Sequence, residues 1–146
     1  MLTESTSGNL SGGTRELLNV SMPADAAAIA DTGDAVAEIL KGLGIAEEKQ
    51  LEIGLALQEA LANAVVHGCG NDPSKRVGCR LSCDGHGRVL IIVSDPGPGL
   101  DTSTLPDPKR GENLYQDHGR GIYLIRQLMD DVRFARGGSE IQMWKY

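Results

Sequence analysis

The stretch that decides the fold is LQEALANAVVHG, Leu57 to Gly68, an apolar segment that carries Glu59, Asn63 and His67. Ala, Leu and Val dominate it, and the three polar residues follow one another at intervals of four. Residues four apart lie on the same face of an α-helix. The sequence therefore predicts a helix, from about Ala46 to His67, with one polar stripe on an otherwise apolar surface.

Two interpretations of this stripe are open on the segment alone. An exposed edge of an amphipathic helix would be broad and would mix both charge signs. No Lys or Arg occurs from Gln50 to His67, and projection at about 100° per residue places Glu52 in the same narrow sector. The pattern favours a polar strip that lines a pocket, with the exposed edge as the alternative.

Length and composition predict one aliphatic domain. The chain has 146 residues, of which 40% are hydrophobic and only 3% aromatic, so aliphatic side chains must build most of the core. No apolar run approaches the ~20 residues of a membrane span, and the first residues lack the pattern of a signal peptide. A net charge of −6 argues against direct binding to nucleic acid. We expect a cytoplasmic protein that binds neither membrane nor nucleic acid.

Hydrophobic periodicity along the chain predicts the order β-α-α-β-β-loop-α-β-β. Residues 1–14, rich in Ser, Thr and Gly, are expected to form a flexible tail, and residues 15–146 a single domain. This mixture of elements predicts an α+β fold, a two-layer sandwich of a mixed sheet covered by helices. Between the two predicted hairpins, the segment from Pro96 to about His118 is too long for a simple connector and has the length of a binding loop or lid.

The cysteines also allow two interpretations. Cys79 and Cys83 could form half of a metal site by their spacing. They also alternate with polar residues along a predicted strand, as small core residues on its inner face would. The absence of an export signal and the odd number of cysteines, which include Cys69, favour reduced thiols.

Two further motifs have the chemistry of ligand-binding loops. In VSDPGPG, Val93 to Gly99, Asp95 ends an apolar strand and two glycines follow it, although Asp-Pro-Gly also forms an ordinary turn. In HGRGIYL, His118 to Leu124, two glycines open a helix, where unpaired backbone N–H groups can accept phosphate oxygens. A Gly-x-Gly at a helix start alone is typical of a tight turn.

Taken in order, the patterns E-x-x-x-N-A-x-x-H, D-x-G-x-G and G-x-G resemble the N, G1 and G2 boxes of the GHKL ATPases. The resemblance covers nearly the whole chain, from about Arg15 to Tyr146, and implies the Bergerat ATP-binding fold. The stretches EALANAVVHG, DPGPGLD and GRGIYLIRQLMDDV are most similar to the anti-sigma-factor serine kinases. That similarity implies a cytoplasmic, usually dimeric serine/threonine protein kinase that uses ATP and Mg²⁺.

The family's partners follow from the same resemblance. It implies that the protein holds a sigma factor inactive, phosphorylates an anti-anti-sigma (STAS-type) protein and forms a homodimer. Three alternatives remain: a catalytically silent ATP-binding module that sequesters a regulator, a partner-switching kinase for another signalling output, and a histidine kinase catalytic domain.

The resemblance also implies roles for individual residues. Glu59 matches the catalytic carboxylate, Asn63 the Mg²⁺ ligand and Asp95 the acceptor for the adenine amino group. Other matching positions are expected to surround the nucleotide: Gly97 and Gly99 beside the base, Gly119 and Gly121 with N–H groups near the phosphates, Arg120 as an added charge or a solvated lid residue, and Ser139 near the adenine. His67 fits the first box but could equally cap the last helical turn. The lid would span Leu100 to His118.

Overall fold

The structure is a computed structural model that describes residues 3–4, 13–97 and 117–146. The described residues form six strands and three helices, which follow the predicted order except for an additional two-residue strand at the start. The strands are β1 (Thr3–Glu4), β2 (Arg15–Pro23), β3 (Arg76–Cys83), β4 (Val89–Ser94), β5 (Asp131–Ala135) and β6 (Glu140–Lys145). The helices are α1 (Ala26–Gly42), α2 (Glu47–Asn63) and α3 (Asp117–Leu128). None of the helices in these ranges is long and apolar enough to cross a membrane.

The strands form one sheet in the order β1-β2-β3-β4-β6-β5. The α+β sandwich is confirmed, but the expectation of a mixed sheet is wrong, because all five described pairings are antiparallel. β4 and β5 run in the same direction, as a crossover through a helix requires. They are not neighbours, however, because β6 returns between them as the second strand of the C-terminal hairpin.

The core lies between the sheet and the helices and is aliphatic, as predicted. Alternate residues of the central strands point into it, namely Leu18, Val20 and Met22 of β2, Val77, Cys79 and Leu81 of β3, and Val89, Ile91 and Val93 of β4. The helices contribute Leu, Ile, Val and Ala, and the described core contains no aromatic side chain. Burial of these alternating positions fixes the strand register, because a shift by one residue would expose all of them.

Capping residues set the ends of α1. The Asp25 carboxylate accepts a hydrogen bond from the Ala28 N–H at 2.8 Å, which satisfies one of the unpaired donors of the first turn. At the other end Gly44 has a φ of 73°, a conformation that favours glycine. The first helix of the predicted order is therefore confirmed.

The helix that carries the polar stripe is not a regular α-helix to its end. α2 is regular to Asn63, and the next turn, Ala64–Gly68, is a π-helical turn. Its bond from the Cys69 N–H to the Ala64 carbonyl spans five residues at 2.9 Å. A single π turn is a common feature of functional sites. Glu59 and Asn63 keep their α-helical spacing, whereas His67 falls within the wider turn.

Part of the expected N-terminal tail pairs with the sheet. Thr3 and Glu4 lie opposite Ser21 and Val20 of β2. Periodicity could not predict this contact, because two residues are too few to show an alternating pattern.

The cysteines are all free, and Cys79 lies in the core with an exposed fraction of 0%. Burial raises the pKa of its thiol to about 12. Cys83, at the end of β3, is only half-buried. The burial of Cys79 among the core residues confirms the core interpretation for this cysteine. Across the described ranges no group of three His, Cys, Asp or Glu could hold a metal ion.

Candidate functional site

A cleft lies beside the polar stripe, between α2, the end of β4, α3 and the β5–β6 hairpin. The empty space between its walls is about 500 Å³, part of it open to solvent. Predicted site residues and an apolar wall line it together: Ala60, Asn63, Ala64, His67, Gly68, Val93, Asp95, Ile122, Phe134, Gly138, Ser139 and Ile141.

Glu59 and Asn63 meet α3 at Gly121. Both side chains are half-buried on one face of α2. A Cβ added to Gly121 would lie 3.0 Å from Asn63 Nδ2 and 3.2 Å from Glu59 Oε2. Glycine thus allows α3 to approach the two polar side chains without displacing them. Residues separated by about 60 positions in sequence are brought together here, as the motif order predicts.

The residue at which α3 begins determines which of its backbone N–H groups lack a hydrogen-bond partner within the helix. α3 begins at Asp117, so Gly119 lies in the first turn, where N–H groups have no partner within the helix. Gly121 is the fifth residue of α3, and its missing side chain is what lets Asn63 and Glu59 lie so close. The expected contributions of the Gly119 and Gly121 N–H groups to phosphate binding stay predictions.

Asp95 lies at the end of β4, half-buried in the cleft wall. Its Oδ1 accepts a hydrogen bond from the Gly97 N–H at 2.8 Å, and its own N–H donates to the Ser139 carbonyl at 3.0 Å. Burial raises the pKa of the Asp95 carboxyl, while the Gly97 N–H and the charge of Arg136 oppose that rise. Asp95 is therefore a partly desolvated carboxylate with free acceptor capacity.

Two glycines pack directly on this carboxylate. A Cβ at Gly97 would lie 2.9 Å from Asp95 Oδ1, and a Cβ at Gly68 would collide with both carboxylate oxygens. Gly97 was expected beside the ligand, and its predicted partner Gly99 lies outside the described residues. Gly68 was expected only as a helix end. Its importance comes from the packing of the π turn against β4, for which the sequence carries no signal.

Ser139 is 7% exposed and lies in the cleft next to Asp95. Its Oγ donates to the Arg136 carbonyl at 2.9 Å within the hairpin turn. The hydroxyl proton is thus used by the turn, and the oxygen lone pairs remain available to accept a hydrogen bond. The expected position of Ser139 near the adenine stays a prediction.

His67 lines the same cleft from the π turn, with its side chain exposed. The Cys69 N–H closes that turn through the backbone, and the role of His67 stays a prediction.

The apolar wall of the cleft was not identified from the sequence. Ile122 of α3, Phe134 of β5 and Ile141 of β6 supply it, with Val93 of β4. Phe134 is the one phenylalanine of the chain, which marks it as unusual but not as part of a site. Phe134 reaches this wall because the pairing of β5 with β6 places it opposite Ile141.

The donor set near Asn63 fits a magnesium ion that is held mainly by its substrate. The Asn63 amide oxygen is a hard ligand, and Glu59 lies beside it at Gly121. The described residues contain no dense carboxylate cluster. Mg²⁺ accepts this arrangement, because it keeps several waters and binds proteins through one or two side chains plus substrate phosphates.

Comparison with known proteins identifies a matching family and several relatives. Residues 22–145 match the family described as the histidine kinase-like ATPase domain. The serine-protein kinase RsbW of Bacillus mycoides is 29% identical over 139 residues, which cover 90% of this chain and 85% of the relative. The anti-sigma F factor of Anoxybacillus flavithermus is 27% identical, over 65% of this chain and 68% of the relative.

A solved structure has the same fold. The histidine kinase domain of the blue-light activated histidine kinase from Erythrobacter litoralis EL346 superposes with a TM-score of 0.50 and 21% sequence identity. The match covers 94% of this chain and 64% of that chain, so the chain spans less than two thirds of the solved structure.

Proposed function

We propose that this chain, which belongs to the histidine kinase-like ATPase domain family, is an ATP-dependent serine/threonine protein kinase and anti-sigma factor. The observation that carries the proposal is the juxtaposition of Glu59 and Asn63 under Gly121 of α3, at the side of a cleft that also holds Asp95. The names of the relatives, a serine-protein kinase and an anti-sigma F factor, support the same assignment.

In this proposal the adenine base occupies the part of the cleft near Asp95. The carboxylate accepts a hydrogen bond from the exocyclic amino group, and Ser139 Oγ is placed as a second acceptor. Ile122, Phe134 and Ile141 pack on the flat apolar faces of the base. Gly97 packs on the backbone of Gly68 and donates its N–H to Asp95, so it would position the carboxylate for the base, and Gly99 is proposed to lie beside the base.

The phosphates would extend from the base toward α3. Asn63 would bind Mg²⁺ through its amide oxygen, and the N–H groups in the first turn of α3, which contains Gly119, would donate to phosphate oxygens, with Arg120 as an added charge. When bound, Mg²⁺ and ATP supply the transferable phosphoryl group and the neutralisation of its charge.

Glu59 is the proposed general base. Its carboxylate lies next to Asn63, where the hydroxyl of a substrate serine or threonine would approach the γ-phosphate. The hydroxyl oxygen forms a bond to phosphorus, Glu59 takes the hydroxyl proton, and the bond between the γ-phosphorus and its bridging oxygen breaks to release ADP.

The protein substrate and the regulated protein are proposed from the relatives. The substrate would be an anti-anti-sigma protein with a STAS domain, and the regulated protein a sigma factor that the chain sequesters. We further propose a cytoplasmic homodimer.

Intact-mass spectrometry tests the proposal. Candidate anti-anti-sigma proteins are incubated with this chain, Mg²⁺ and ATP, and each is expected to gain a single phosphate if it is the substrate. Glu59→Gln should reduce phosphate transfer at least about a hundredfold, within the range of general-base losses, while it retains ATP binding. Glu48→Gln, an exposed glutamate of the same helix, serves as the control.

The result also separates the kinase from a silent module. If wild type and Glu59→Gln both bind ATP and neither transfers phosphate to any candidate, the result favours a module that sequesters its partner without catalysis, or a substrate outside the set tested. If Asn63→Ala leaves Mg²⁺-dependent ATP binding unchanged, the assignment of the metal ligand is wrong.

A further inference from the structure

An apolar groove runs along the outer surface between α1 and α2, on a face that the nucleotide cleft does not use. It encloses about 1130 Å³, part of it open to solvent. Two stripes of small and apolar residues line it, including Ile29 and Gly33 of α1 and Leu51, Gly54 and Leu55 of α2. Glu59 and Asn63 face α3 instead, about a third of a turn away around α2.

The groove exposes apolar surface that folding leaves uncovered. Leu51 is 64% exposed and Leu55 is 42% exposed, one helical turn apart on the same wall. Single exposed leucines are ordinary on protein surfaces. Two leucines on one groove that also contains Ile29 form a contiguous apolar patch, which is typical of interaction surfaces.

The glycines of the groove leave its space open. A Cβ added at Gly33 or Gly54 meets no atom within 4 Å, so neither glycine is needed for the packing of α1 against α2. Gly121, by contrast, is in tight contact with the catalytic side chains. The open space at Gly33 and Gly54 deepens the groove at an energetic cost, because glycine in a helix interior destabilises it by roughly 1 kcal/mol relative to alanine.

Carboxylates border the groove. Of the seven carboxylates on α1 and α2, Glu52 and Glu59 lie on the opposite face of α2, beside Lys145 and Gly121, and do not contribute. Asp34 lines the groove, Glu38 follows it by one helical turn, and Glu47 precedes Leu51 by one turn on α2. A second copy of the chain on this face would bring carboxylates together, whereas a basic partner would neutralise them.

We propose that this groove binds an amphipathic helix of a protein partner, with an apolar stripe and lysine or arginine residues along its edge. The α2 wall runs from Gln50 to Ala62, a length of about 18 Å that matches about three turns of a helix. Such a helix would place apolar anchors at i, i+3 or i+4, and i+7 into the groove. The groove and the cleft lie on different faces of α2, so helix and nucleotide can be bound together.

Fluorescence anisotropy with the full chain tests this proposal. The probe is a labelled helical peptide of about 15 residues, built from a leucine stripe and lysine edges, and its match carries glutamate in place of lysine. The lysine peptide is expected to bind at least about tenfold more tightly, since its charges complement the groove. Gly54→Leu, which fills the groove without changing charge and favours the helix, should weaken binding about tenfold or more, as should Asp34→Lys.

Leu124→Ser is the matched control, because Leu124 is 38% exposed on α3, away from the groove. It should leave peptide binding unchanged, and all three variants should retain ATP binding. The proposal is overturned if the two peptides bind equally, or if Gly54→Leu binds the lysine peptide as wild type does. It is also overturned if sedimentation shows that Gly54→Leu dissociates a dimer, since a second copy would then occupy the groove.

Discussion

At Asp95 the requirements of folding and of ligand binding oppose each other. The carboxylate is half-buried at the end of β4, and burial raises its pKa. For folding, the charged form is the costly one, so the contribution of Asp95 to stability is lost as the pH rises through its pKa in the folded protein. For the proposed adenine contact the charged form is the better acceptor, so nucleotide affinity should fall as the pH drops toward the same value.

Asp95→Asn separates the two effects. We expect ATP affinity to fall about tenfold or more, since a hydrogen bond to a charged group is worth roughly 1.5–3 kcal/mol. The free energy of unfolding at neutral pH should not fall, because asparagine keeps an oxygen for the Gly97 N–H and removes a partly buried charge. Isothermal titration calorimetry and urea denaturation measure the two quantities, and unchanged ATP affinity would refute the role of Asp95.

At the scale of elements, the side chain of Lys145 links three elements: β6, which carries it, α2 and the C-terminal end of α3. Lys145 of β6 has a side chain that is 11% exposed, and its Nζ lies 3.3 Å from Glu52 Oε1 of α2. The same Nζ donates to the Leu128 carbonyl at 2.6 Å, which satisfies one of the carbonyls left unpaired at the end of α3. Because Gly121 lies on the same helix, this contact helps to hold α3 against Glu59 and Asn63.

Lys145→Met is expected to lower the free energy of unfolding by about 1–3 kcal/mol, because it leaves the Leu128 carbonyl and Glu52 without the ammonium group. Urea denaturation measures the loss. The control is Asp131→Asn, which removes an exposed ion pair with Arg133 and should cost less than about 1 kcal/mol. Equal losses in the two variants would show that Lys145 has no special role.

At the scale of the whole molecule, the accessibility of the cysteine thiols of the central strand β3 shows whether the helices stay packed on the sheet. Cys79 lies in the middle of the sheet with no exposed surface, and its pKa of about 12 keeps it a protonated, unreactive thiol at pH 8. Cys83, on the same strand, is half-buried. Protection of Cys79 therefore depends on the helical layer that covers it.

Alkylation with iodoacetamide at pH 8, followed by peptide mapping, should modify Cys83 before Cys79. Cys79 is expected to react only after urea unfolds the chain, at a rate that follows global unfolding. Rapid modification of Cys79 in the native protein would contradict the packing of the helices on this sheet.

The local elements could be read from the amino-acid sequence, because periodicity and capping depend on near neighbours. The alternation of β3 and β4, the limits of α1 and the four-residue spacing of Glu59 and Asn63 are of this kind. Residue types also indicated the chemistry, since the carboxylates, the amide and the glycines occur in the order of the GHKL boxes. The roles assigned to these residues remain predictions that the proposed experiments test.

Only the tertiary structure decided which distant groups meet. Neighbouring residues do not reveal that β6 enters the sheet between β4 and β5, that Gly68 packs on Asp95, or that Phe134 forms a wall of the cleft. The π turn could not be predicted from neighbouring residues either, because an Ala- and Val-rich segment at the end of a helix is expected to continue as a regular α-helix. These features depend on packing between segments far apart in the chain, and that packing energy exceeds the local preferences that a sequence pattern records.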